Sequence, residues 1–100
     1  MEIQAENPSP SRILVPLGVV TLTPRALTVL TVREAELLEL LDRHRCCNWG
    51  EAADGYGAEN NQSLRDGGRV VSIYRVGGRP RLRVETQIHA STRVALLEEP

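Results

Sequence analysis

Residues 31–50 read TVREAELLELLDRHRCCNWG and carry the clearest helix signal in the chain. Thr31 and Glu34 have the spacing of a capping box, in which each side chain hydrogen bonds a backbone N–H that the first helical turn leaves unpaired. At 100° per residue, most of the leucines and His44 gather on one side and the charged residues on the other. The stretch therefore predicts an amphipathic helix that ends near Arg45 and buries one face.

The composition of the chain bounds its class. Of its 100 residues, 41% are hydrophobic and 25% are charged, which is typical of one globular domain. With no Phe, one Trp and two Tyr, the core must consist mainly of Leu, Val and Ile. No segment approaches the roughly 18 consecutive apolar residues of a membrane span. We expect residues 1–11, which are polar and contain two prolines, to form a flexible arm, and residues 12–100 to form a single cytoplasmic α+β domain.

The segments around the long helix carry further strand and helix signals. Four of them are rich in β-branched or apolar residues and predict strands: residues 12–22, 69–76, 81–90 and 93–97. Thr23 followed by Pro24 predicts a short helix before the long one, and Gly67 would end a third helix over residues 58–66. This order predicts an antiparallel sheet of about four strands with two or three helices packed on one face.

The basic residues of the chain are all arginines, and they are unevenly placed. Seven of the 12 fall within residues 65–93, against two acidic residues. If residues 81–90 form a half-buried strand, Arg81 and Arg83 lie on its exposed face, with Arg75, Arg79 and Arg93 nearby. Such a positive surface attracts nucleic acid or an acidic protein, and a solvated surface without a ligand is the alternative. Only Tyr74 is placed to stack on bases, which disfavours an RNA-binding sheet.

Six residues are predicted to contact a protein partner: Trp49, Tyr74, Arg75, Arg79, Arg81 and Arg83. Trp49 directly follows the long helix and precedes Gly50. Its side chain therefore either plugs the helix end onto the sheet or projects as an interface anchor. Of these two alternatives we predict the plug, because the edge of the core lies directly beneath the end of the helix.

The chain offers few groups for catalysis or metal binding. Cys46 and Cys47 are adjacent, which matches neither a C-x-x-C metal motif nor a disulfide framework. A nucleophilic enzyme would need one of these thiols beside His44 or His89, and a histidine at a helix end more often bonds nearby carbonyls. Because the chain has no G-x-S-x-G, P-loop or G-x-G-x-x-G motif, we predict no catalytic residues, metal site or cofactor.

The order and spacing of several short pieces resemble a known family. The pieces are Pro16-Leu17-Gly18, Thr23-Pro24 with Ala26-Leu27, residues 41–44, Asn48-Trp49-Gly50, and residues 60–64, 68–75 and 96–99. They resemble a family of small proteins carried by bacterial plasmids, phages and integrated elements, some of them labelled as plasmid-related or restriction-modification proteins. Members have Asp-Trp-Gly where this chain has Asn48-Trp49-Gly50, so an acid in that segment cannot be carried over.

The resemblance implies a genetic setting rather than an activity. It favours a non-enzymatic accessory protein of a mobile element that binds a host or element protein, such as a component of a restriction or CRISPR defence system. The alternative is a small regulator that binds nucleic acid through the arginine-rich face of the sheet. Mimicry of DNA is disfavoured, because the formal net charge of the chain is only −1.

Overall fold

The computed structural model describes residues 14–30 and 34–100. In chain order the elements are β1 (Val19–Leu22), α1 (Pro24–Val29), α2 (Glu34–Arg45), α3 (Ala53–Asp66), β2 (Arg69–Tyr74), β3 (Leu82–Gln87) and β4 (Ser91–Leu96). The predicted capping box at Thr31 and the predicted arm lie outside the described residues. No helix in the described part of the chain is long and apolar enough to cross a membrane.

The four strands form one open sheet in the order β1-β4-β3-β2. The α+β prediction is confirmed, and β2, β3 and β4 pair antiparallel as expected. The prediction of a wholly antiparallel sheet is wrong, because β1 pairs with β4 in parallel. Tight hairpin turns make neighbouring strands antiparallel, but β1 is followed along the chain by three helices and not by its neighbour β4. No tight turn therefore fixes the direction of β1 relative to β4.

The predicted first strand is also shorter than expected, because it begins only after Gly18. Gly18 has φ of 64°, and a Cβ atom at this position would lie 2.5 Å from the carbonyl oxygen of Ala90. Only glycine combines that left-handed backbone with such a close approach. The chain therefore turns against the β3–β4 turn before β1 joins the sheet.

The main core lies between the sheet and the first two helices. We call this side of the sheet the inner face; its residues are Val20, Leu22, Val70, Ser72, Tyr74, Leu82, Val84, Thr86, Thr92, Val94 and Leu96. Ala26 of α1, Leu30 just after α1 and Leu40 of α2 are buried against it, and Leu37 and Leu41 are half-buried at its margin. The apolar side of α2 thus faces the core as its sequence pattern predicts.

The third helix lies along the outer edge of β2 and is longer than predicted. The side chain of the buried Asn60 donates to the carbonyl oxygen of Val71 at 2.8 Å and accepts from its backbone N–H at 3.0 Å. Farther along the same edge, Ile73 exchanges hydrogen bonds with the backbone of Trp49 and Glu51. The outward-facing backbone groups of Val71 and Ile73 are therefore paired, as buried groups at a covered strand edge must be.

Candidate functional site

The side of the sheet opposite α1 and α2 carries a concentration of charge. We call it the outer face; its residues are Val19 and Thr21 of β1, Arg69, Val71 and Ile73 of β2, Arg83, Glu85 and Gln87 of β3, and Ser91, Arg93 and Ala95 of β4. These positions alternate along each strand with those of the inner face. Three neighbouring strands thus each contribute one arginine to the same surface.

Glu85 lies at the centre of these arginines. Arg69 Nη1 lies 2.6 Å from Glu85 Oε2, and Arg83 Nε lies 3.2 Å from Glu85 Oε1. Arg93 is the direct cross-strand neighbour of Glu85, and side chains in such pairs lie within contact range. We call these four residues the Glu85 cluster. Because the cluster holds three arginines and one carboxylate, its four side chains carry a net positive charge.

The residues after β4 are held by the same arginines. Arg83 donates to the carbonyl oxygens of Leu97 and Glu99 at 3.0 and 2.7 Å. Arg93 Nη1 donates to the carbonyl oxygen of Pro100 at 2.9 Å. Residues 97–100 therefore lie beside the Glu85 cluster and restrict two of its side chains.

The side chain of Glu99 ties this segment to the start of α1. Its Oε1 accepts from the backbone N–H of Leu96 at 2.8 Å and from Thr23 Oγ1 at 2.7 Å. These two hydrogen bonds lower the pKa of the Glu99 carboxyl group. Thr23 also accepts from the backbone N–H of Ala26, as the predicted helix cap requires.

Several depressions adjoin the Glu85 cluster. A groove of about 360 Å³ lies between α3 and the outer face, with Tyr56 and Glu59 on the helix side and Val71 on the sheet. A smaller depression of about 150 Å³ lies between Arg69 and Arg93. Arg69 borders both, so the two depressions are neighbours. Together they offer a partner apolar, polar and positively charged contacts on one surface.

Trp49, a predicted contact residue, lies in the core. Its side chain is 7% exposed and packs in a second apolar cluster with Val15, Val70 and Ile88. Its ring meets the ring of His44 edge to face, with 6.0 Å between the centroids. This placement agrees with the plug interpretation and leaves little of the side chain for an interface.

Tyr74 is likewise buried, which does not fit its predicted role in binding. It is 1% exposed, because the alternation along β2 places it on the inner face. Its hydroxyl group donates to the carbonyl oxygen of Asn48, and Arg43 Cζ lies 4.5 Å from its ring centroid. Burial raises the pKa of Tyr74 to about 12. Its contacts support the fold rather than a surface.

The four predicted arginines do not form one patch. Arg79 donates to Glu36 at 2.7 Å and to the carbonyl oxygen of Val29 at 3.1 Å, which ties the loop before β3 to the helices. Arg81 Nε lies 2.5 Å from Glu51 Oε1, and Arg75 is exposed just after β2. Of the predicted arginines, only Arg83 belongs to the Glu85 cluster.

His44, which is 0% exposed, lies in a chain of hydrogen bonds that crosses the inner face. Thr92 Oγ1 donates to the carbonyl oxygen of Leu17 at 2.7 Å, so it accepts from Thr86 Oγ1 at 2.6 Å. Thr86 in turn accepts from His44 Nε2 at 2.9 Å, and His44 Nδ1 accepts from Ser72 Oγ at 2.6 Å. This hydroxyl–imidazole chain places a proton on Nε2, and burial lowers the pKa of His44 to about 4, so the ring is neutral and Nδ1 is an acceptor.

A cysteine nucleophile activated by histidine is therefore not assembled at His44, because both ring nitrogens already bond hydroxyl groups. His89 is exposed in the turn between β3 and β4, where its φ is 71°. Across residues 14–30 and 34–100, no group of three or more His, Cys, Asp or Glu side chains is placed to hold a metal ion.

The predicted contact residues did not include Arg69, Glu85 and Arg93, although Arg93 was expected near the positive surface. Their proximity depends on strand register, which pairs Val71 with Glu85 and Glu85 with Arg93. One signal was present: Glu85 is the only acidic residue of the predicted central strand, which otherwise carries two arginines. A single carboxylate among arginines indicates a place where charged side chains converge.

The comparisons with known proteins add no relative. No family model matches the chain, and neither a curated protein nor a solved structure is significantly similar to it.

Proposed function

We propose that the chain is a non-enzymatic accessory protein that binds a protein partner through the outer face of its sheet. The observation that carries this proposal is the Glu85 cluster, in which arginines from three strands converge on one surface. Tyr56 and Val71 lie next to it in the adjoining groove. Arginine and tyrosine are among the residues that most often dominate the energy of protein interfaces.

The contacts of the cluster favour binding because they restrict the side chains in advance. Arg83 is held by an ion pair with Glu85 and by hydrogen bonds to two carbonyl oxygens of residues 97–100. Fixing a flexible side chain at an interface otherwise costs about 0.5–1.5 kcal/mol of conformational entropy. A surface whose arginines are already ordered loses less entropy when a partner binds.

The resemblance to proteins of mobile elements suggests what the partner is. In that setting the partner would be a host protein or a component of a restriction or CRISPR system, in the bacterial cytoplasm. Binding by an accessory protein would then protect the element that encodes it. The net charge of −1 favours direct protein contacts over imitation of DNA.

The test begins with the full chain as bait in a bacterium that has an active defence system. We expect one stoichiometric partner, and hydrogen exchange of the purified complex should show protection in β2, β3 and β4. Expression of the chain should also raise the efficiency with which a restricted plasmid or phage becomes established. Protection confined to α1 and α2 would move the binding surface to the other side of the molecule.

Two matched variants separate the faces. Ser91 is exposed on the outer face and Ala35 is exposed on α2. Ser91→Trp should block the partner sterically, whereas Ala35→Trp should leave binding unchanged. If the partner tolerates Ser91→Trp and is lost with Ala35→Trp, or if no partner and no effect on establishment is found, the proposal fails.

A second candidate function is the binding of single-stranded nucleic acid, and the same arginines favour it. If three arginines neutralise three phosphates of a single strand, the logarithm of the affinity should fall with the logarithm of the salt concentration with a slope of about −2. Filter binding of oligonucleotides over a salt series measures this slope. Absence of binding at low salt excludes this function.

A further inference from the structure

The depression between Arg69 and Arg93 has the composition of an anion site. Arg69, Gln87 and Ser91 form one row across β2, β3 and β4, and Glu85 and Arg93 belong to the next row. All five side chains line the same depression of about 150 Å³. Two guanidinium groups, an amide and a hydroxyl group therefore surround a space large enough for one small anionic group.

The cluster already shows which anion it accommodates. Glu85, whose side chain is 18% exposed, contributes one carboxylate to the lining of the depression, and Arg69, which is 61% exposed, reaches it from β2. Arg69 meets Glu85 through Nη1 alone. A guanidinium group has five donors in a planar fork that suits carboxylates. A second carboxylate would offset the positive charge that Glu85 leaves uncompensated.

We propose that Arg69 and Arg93 bind a side-chain carboxylate from an acidic, extended segment of the protein partner, with Gln87 and Ser91 as further donors. This inference rests on the proposed function, because it names the chemistry that the outer face recognises. The neighbouring groove, with Val71 and Tyr56, lies where an adjacent apolar side chain of the same segment would pack.

An acidic protein segment fits this surface better than a nucleic acid does. Of the three aromatic residues in the chain, Trp49 and Tyr74 are buried and only Tyr56 borders the grooves. Single-stranded nucleic acids are held by stacking of successive bases on aromatic side chains. Glu59 and Glu85 also line the grooves, and they would repel a continuous row of phosphates more than one or two spaced carboxylates.

The test uses a fluorescein-labelled octapeptide of alternating Glu and Val, and the same peptide with Gln in place of Glu. Fluorescence anisotropy with the full chain at low salt gives both affinities. We expect the Glu peptide to bind at least about tenfold more tightly than the Gln peptide, since charge-assisted hydrogen bonds are about twice as strong as neutral ones. The preference should weaken as salt is added.

Variants locate the effect. Arg69→Gln combined with Arg93→Gln should abolish the preference for the Glu peptide. Arg45→Gln removes the same kind of charge from the exposed end of α2, where Arg45 pairs with Asp42, and should preserve the preference. Circular dichroism checks that each variant melts within a few degrees of the parent protein.

Three outcomes would overturn the inference. They are equal affinity for the two peptides, an unchanged preference in the double variant, and tighter binding of a thymidine dodecamer that the double variant loses. The last would assign the depression to phosphate. If the captured partner binds the double variant as well as the parent protein, the proposed function stands and only the acidic-segment inference fails. The peptide measurements remain decisive even if no partner is captured.

Discussion

Both faces of the sheet carry polar side chains on several strands, but the partners of these side chains differ between the faces. On the inner face, the hydroxyl–imidazole chain consists of neutral groups that are all buried. On the outer face, the Glu85 cluster consists of charged groups that reach solvent. Buried networks specify one arrangement of the strands at a high cost if broken, whereas exposed ion pairs contribute little to stability. The comparison predicts that stability depends on the inner face and binding on the outer face.

The largest expected effect on stability is at the inner face. Trp49→Ala should lower the free energy of unfolding by about 3–5 kcal/mol, because it opens a cavity against Val15, Val70 and Ile88. Urea denaturation of the variant and the parent protein measures the difference. A melting temperature within a degree or two of that of the parent protein would refute the plug interpretation. Trp49 would then be interpreted as an interface anchor.

The next effect is a dependence of stability on pH that originates at His44. Its pKa is about 4 in the folded protein and 6.5 in the unfolded chain, so the unfolded chain binds a proton first as the pH falls. Stability is therefore full above pH 6.5 and is lost progressively down to pH 4, by about 3 kcal/mol in total. His44→Gln should remove this part of the pH dependence while His89→Gln should keep it, as urea titrations between these pH values would show.

A smaller effect is expected from the far end of the hydroxyl–imidazole chain. Thr92→Val keeps the shape of the side chain but leaves the carbonyl oxygen of Leu17 without its hydroxyl donor and removes the acceptor for Thr86. Loss of such buried partners costs about 1–3 kcal/mol. Thermal and urea denaturation measure it, and a loss as small as that of an exposed substitution would mean that the chain of hydrogen bonds does not stabilise the core.

The smallest effect on stability is expected on the outer face. Arg69→Gln breaks the ion pair with Glu85, and ion pairs with an exposed partner contribute about 0–1 kcal/mol. Urea denaturation should therefore find a loss below about 1 kcal/mol, with a reduced dependence on salt. A loss as large as that of Thr92→Val would remove the distinction between the two faces.

Local patterns in the sequence predicted the elements better than their assembly. The side-chain periodicity of α2 and the alternation of Leu82 and Val84 with Arg83 in β3 are properties of neighbouring residues, and the structure follows them. The first turns of α3 were hidden because Gly55 and Gly57 weaken the helix signal. The sequence did not predict the parallel direction of β1, because that direction depends on how the three helices between β1 and β2 are placed in the folded chain.

The candidate site was less predictable for the same reason. Arg81 and Arg83 belong to one strand signal, yet Arg81 precedes β3 and turns to Glu51, while Arg83 joins Glu85. Arg69 and Arg93 reach the cluster only through the register of three strands. Periodicity indicates the face on which a side chain lies, but convergence of charges on that face is a property of the assembled sheet.

The side chain of Asn60 has a consequence for how copies of the protein behave at high concentration. By meeting both the N–H and the carbonyl group of Val71, one amide takes the place of an additional strand. Another chain could extend the sheet at this position only after displacing the Asn60 side chain from Val71. The buried amide of Asn60 would then lose both of its hydrogen bonds to Val71, which is unfavourable. The β2 edge is therefore a poor template for fibril growth, and this protection comes from a helix rather than from an edge charge or a proline.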